Sequence, residues 1–97
     1  MERFDYAVRL QPAEEGGFVV KCRDLQALIT QGEDQADALT HAADAMDEVF
    51  AVYMADGLPL PAPTSARKGE FMVSPPAATV AKAVLHVAKR ATGVDQA

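Results

Sequence analysis

Residues 27–39, "ALITQGEDQADAL", change character halfway, and the fold follows from where the change falls. Ala27 to Gln31 are apolar or β-branched and suit a short strand. Gly32 interrupts it. From Gln35 the letters become alanine, leucine and acid, the composition of a helix. Asp34 stands where an N-cap belongs, and Asp37 follows in the first turn. An acceptor at the cap satisfies a free backbone N–H, and both acids favour the positive end of the helix dipole. Glu33 is left unexplained by that chemistry.

Working upstream, "FDYAVRL" (4–10) alternates, with Phe4, Tyr6, Val8 and Leu10 on one face. "QPAEEGG" supplies a hairpin loop in which Gly16 and Gly17 can take positive φ. "FVVKC" returns as a second strand with Phe18, Val20 and Cys22 inward, so three antiparallel strands form a meander. Downstream, a helix over about 35–55 carries Leu39, Ala42, Ala43, Met46, Val49, Phe50 and Tyr53 as its apolar stripe. Gly57 ends it. "GLPLPAPTSARKG" reads as an extended crossing, free of hydrogen bonds to the sheet. "EFMVS" (70–74) reads as a fourth strand, parallel because a helix precedes it. Ser74 is the expected cap of a second helix with the stripe Val80, Val84, Val87 and Ala91, stopped by Gly93. The fold class is therefore α+β, in the order β-β-β-α-β-α, with the helices packed on the sheet.

The chain of 97 residues fits one domain, and its 49% hydrophobic and 24% charged residues are globular values. No apolar run approaches the roughly 20 residues of a membrane span, and the N-terminus lacks the pattern of a leader. With Cys22 as the single cysteine there is no internal disulfide, which fits a reducing, cytoplasmic setting. His41 and His86 are isolated, so neither a metal site nor any other cofactor is expected. No phosphate-binding glycine loop and no Ser/His pairing occurs, and the carboxylates lie mostly on one helix face. Catalysis is not expected. The net charge of −5 is unevenly spread: residues 13–66 hold ten acids against only Lys21 and Arg23, whereas 67–97 hold five bases against Glu70 and Asp95. An acidic body of this kind attracts a basic partner and repels phosphates.

"EEGGFVVKCRDLQALITQGEDQADAL" (14–39) resembles the signature of HicB antitoxins, through Gly16, Gly17, Phe18, Val20, Asp24, Leu25, Thr30, Gln31, Gly32, Ala38 and Leu39. Members usually carry Pro where this chain has Arg23, and Pro-Gly-Cys where it has Gln26, Ala27 and Leu28. The resemblance implies a partial ribonuclease-H-like fold and a non-catalytic role: occluding HicA, a small basic mRNA-cleaving toxin. Glu14, Glu15, Asp24, Gln31 and Glu33 then become candidate toxin contacts, with Gly16, Gly17, Gly32 and Asp34 as structural residues. It also implies a toxin-neutralising domain over 1–92. DNA binding would come only from a C-terminal region whose start is expected at 93–97. A homodimer through an exposed strand edge is expected as well. The competing reading is an oligomerisation or sensor domain of a DNA-binding regulator acting on its own operon. A third, a ribonuclease-H-like nuclease, would need three or more converging carboxylates and a divalent metal.

Overall fold

A computed structural model of the chain describes residues 3–93. Its elements run β1 (Tyr6–Pro12), β2 (Phe18–Cys22), β3 (Ile29–Gly32), α1 (Gln35–Ala55), β4 (Glu70–Val73) and α2 (Ala77–Thr92). The order is the expected one, and the meander holds, with Val8 opposite Cys22 and Val20 opposite Thr30. β3 starts two residues later than expected. Ala27 and Leu28 belong instead to a turn in which the Leu28 N–H donates to the Leu25 carbonyl at 2.9 Å. That turn drives both leucines fully into the core, which a strand of strict alternation could not do.

The expectation of a parallel fourth strand is wrong. β4 pairs antiparallel with β1, Tyr6 facing Val73 and Arg9 facing Glu70, so the whole sheet, in the order β3-β2-β1-β4, is antiparallel. The cause lies in the connection. α1, with 21 residues, is about 31 Å long and returns the chain along the sheet. A short loop would then launch a parallel strand. Residues 58–67 instead form an extended strap with a reach of about 33 Å, which traverses the sheet once more and, through a turn at 67–70, delivers β4 from the opposite end. Without the parallel strand, the sheet lacks the pairing that the ribonuclease-H-like expectation requires.

One sheet face and one stripe of α1 make the core. Tyr6, Val8 and Val20 pack with Ala38, Ala42, Met46 and Phe50, and Phe50 meets Tyr6 edge-on at 5.8 Å and Phe4 at 6.2 Å. The α1 stripe is narrower than expected, at a spacing of four from Ala38, with Leu39, Ala43 and Val49 on its margins. The helix ends as expected at Gly57, whose φ of +67° lets its N–H reach the Met54 carbonyl while Leu58 bonds back to Tyr53.

α2 packs on α1 rather than on the sheet. Its expected stripe is displaced: Thr79 and Ala83 are buried and Val80 and Val87 flank them, whereas Val84 is 53% exposed. The Thr79 hydroxyl donates to Asp47 at 2.6 Å, and that bond between helices decides the rotation. Ser74 is not the cap, since Pro76 occupies the N-cap position with no side-chain bond. The strap is also more firmly held than its prolines suggest. Tyr6 Oη donates to the Pro61 carbonyl at 2.6 Å, and Asp24 Oδ2 accepts from both the N–H and the hydroxyl of Thr64 at 2.8 Å. Burial pushes the Tyr6 phenol up to about 12, so it remains a donor. Residues 94–97, most of the expected start of a C-terminal segment, lie outside the described residues.

Candidate functional site

Three pieces of backbone meet at one end of the domain because two glycines let them. The β1–β2 loop closes where the Ala13 N–H donates to the Gly17 carbonyl at 3.0 Å, with φ of +99° at Gly16 and +75° at Gly17. A Cβ on Gly17 would sit 2.5 Å from the Gly32 carbonyl, so the hairpin lies directly against the end of β3. A Cβ on Gly32 would sit 2.3 Å from the Ala38 nitrogen, so the first turn of α1 lies directly against the other side of that strand end. Loop, strand end and helix start thereby form one surface.

The helix start is tied by two reciprocal bonds. Asp34 Oδ1 accepts the Asp37 N–H at 2.8 Å, and Asp37 Oδ2 accepts the Glu33 N–H at 2.8 Å. This differs by one residue from the usual capping box, in which the second bond returns to the cap itself. Asp37 Oδ1 lies 3.5 Å from His41 Nε2, and His41 Nδ1 lies 2.6 Å from the Gln31 carbonyl. That carbonyl, then Asp37 and more distantly Asp44 and Glu33, holds the imidazole above its ordinary pKa. Protonated, His41 donates to the strand carbonyl and faces Asp37.

Between these parts lies an open groove of about 470 Å³, lined among others by Glu15, Gln31, Glu33, Asp37 and His41. Neither Lys nor Arg is among its lining residues. Among the described residues, the carboxylates of Glu15 and Glu33 take part in no ion pair. The groove is thus rich in acceptors and open to solvent, the chemistry for receiving lysine and arginine side chains.

Three of the five candidate contacts, Glu15, Gln31 and Glu33, come together in this groove. Glu14 is exposed on the adjoining loop. Asp24 is not there: its carboxylate anchors the strap at Thr64. Asp37 and His41 belong to the groove and were not among the candidates. Their signal in the sequence was the i, i+4 spacing of an acid and a histidine on one helix face. Among the described residues no three His, Cys, Asp or Glu side chains converge as a bound metal ion would require. No helix among the described residues is long and apolar enough to cross a membrane. Fold and groove together define a small α+β domain with an acidic groove at one end.

Residues 5–84 match the model of the HicB-like antitoxins of bacterial toxin–antitoxin systems. The chain belongs to that family. It is 34% identical over 80 residues to Antitoxin HicB of Escherichia coli K12, an alignment covering 82% of this chain and 58% of that protein. It is 35% identical to two antitoxins of Photorhabdus laumondii, HicB 1 over 82 residues and HicB 2 over 72, covering 82% and 74% of this chain and 50% of each relative. The chain therefore spans about half the length of the curated relatives it matches.

Proposed function

We propose that this domain is the toxin-binding part of an antitoxin, and that it neutralises a small basic HicA-type ribonuclease in the cytoplasm without catalysing a reaction itself. The observation that carries the reading is the groove, lined by Glu15, Glu33 and Asp37 with neither lysine nor arginine among its lining residues. A ribonuclease surface that holds RNA phosphates is lined with cations, and an acidic surface of this kind competes for them. Glu14 extends the same acidic edge. The glycine contacts fix the spacing of the carboxylates, so the surface is formed before the partner arrives. Pairing of two copies through an edge strand, β3 or β4, belongs to the same proposal.

The test is a titration of the purified chain into an RNA-cleavage reaction run by a small basic HicA-type toxin from the same source, at two salt concentrations. Stoichiometric inhibition that weakens at higher salt is the expected result. Glu15→Gln with Glu33→Gln should weaken it by roughly tenfold, as expected for two charge-assisted contacts. An active toxin left uninhibited by the folded chain overturns the reading. The mass of the chain in solution tests the pairing.

A further inference from the structure

The sheet has a second face, and its charge is opposite to that of the groove. Strand alternation places Ala7, Arg9 and Gln11, Val19 and Lys21, Ile29 and Gln31, and Glu70 and Met72 on the side away from α1. Since α2 packs on α1, neither helix covers this face. At its centre Arg9 stands directly opposite Lys21 across the β1–β2 pair. Like charges in that position repel. Arg23, just past β2, and Arg67, in the turn before β4, border the same shallow hollow.

The one carboxylate there is Glu70, its side chain 4% exposed. It is already engaged: Arg23 Nη1 donates to both of its oxygens at 2.6 Å, and the Arg67 N–H donates to Oε1 at 2.8 Å. Arg9 Nη2 reaches it only at 3.7 Å. Among the described residues Lys21 has no acid within ion-pair distance. Four cations around one occupied carboxylate leave an excess of positive charge on a chain whose net charge is −5.

The composition of the face decides which anion it suits. Protein–protein interfaces favour arginine but are depleted in lysine, whereas nucleic-acid interfaces are polar and strongly positive. Here the centre is Arg9 and Lys21, with the Gln11 amide beside them, and the apolar Ile29 and Met72 stand on the edge strands. No aromatic residue of any strand falls on this face, so it offers no platform for base stacking.

We propose that this face binds the phosphodiester backbone of a nucleic-acid strand without regard to base, through Arg9, Lys21 and Arg67, with Arg23 a positioning residue held by Glu70. The site is separate from the groove and does not depend on the toxin-binding reading.

The test uses the whole chain and a fluorescently labelled oligouridylate, with anisotropy read over a series of KCl concentrations. Three phosphate contacts on a single strand give a slope of log K against log [KCl] of about −2. Arg9→Gln and Lys21→Gln should each weaken binding by roughly three- to tenfold and remove about 0.7 from the slope. Lys82→Gln and Lys89→Gln, on α2, should leave it unchanged, and an oligoadenylate should bind equally well. Circular dichroism confirms that each variant is folded. Absence of binding at the lowest salt overturns the proposal, as does equal loss in the α2 variants. Displacement by polyglutamate as effective as by unlabelled RNA overturns it in favour of an acidic protein. Displacement by inorganic phosphate at equal phosphate concentration overturns it in favour of a free anion.

Discussion

Gly32 has no room for a side chain, because the Ala38 backbone occupies the place a methyl group would take. Gly32→Ala must push β3 and the start of α1 apart, and overpacking of this kind costs about 1–3 kcal/mol, read as a lower urea midpoint with an unchanged m-value. A neutral substitution would mean that strand and helix are less closely joined than described. His41 lies on the same surface and makes stability depend on pH. Its folded pKa is raised by the Gln31 carbonyl and by Asp37, so its contribution is complete below the unfolded value of about 6.5 and is lost as pH rises through the folded one. His41→Asn should therefore be less stable than the parent chain at low pH and approach it in the alkaline range, as urea midpoints across pH will report. At this scale the sequence was partly legible. Asp34 and Asp37 were readable as helix-start chemistry because capping is local. Gly32 was readable as punctuation but not as a point of contact. Asp24 was not readable as the anchor of the strap, since its partner Thr64 lies forty positions away and leaves no mark nearby.

Elements were legible where periodicity alone defines them and illegible where a bond between elements decides. The order of strands and helices, the hairpin and the end of α1 follow from alternation, glycine and capping. The rotation of α2 does not, because the Thr79–Asp47 bond outweighs a stripe of three valines. The direction of β4 does not either, because a proline-rich segment gives no sign of whether it turns back or runs on. That strap is fastened at its middle by Asp24 to Thr64, by Arg23 to Thr64 and Ser65, and by Arg23 to Glu70 at the start of β4. Asp24→Ala should free it, so that amides around Thr64 exchange about tenfold faster while the circular dichroism of the domain persists. Unchanged protection would show that the prolines alone hold the segment. Acid should loosen the same clasp. Arg23 holds the Glu70 carboxyl below its usual range, so the stability it adds is present above the unfolded value of about 4.3 and disappears as pH falls through the folded one.

For the molecule as a whole, the sequence disclosed that charge was unevenly distributed but not how it was arranged in space. Its acids looked like one body and its bases like one tail. Folding instead draws Arg9 and Lys21 from the first two strands together with Arg67 from the tail, and gathers Glu15, Glu33 and Asp37 at another place. Neither grouping is visible until the sheet register is known. The late arrival of β4 also has a consequence for how the protein is made. β1 is an interior strand of the sheet, yet one of its two neighbours, β4, comes last among the described strands. At about 5–20 residues per second, a ribosome needs roughly 3–10 s between the end of β2 and the end of β4. Throughout that interval the nascent chain presents β1 as a bare edge, with unsatisfied amides open to any neighbouring strand. Four residues, Glu70 to Val73, bring that exposure to an end.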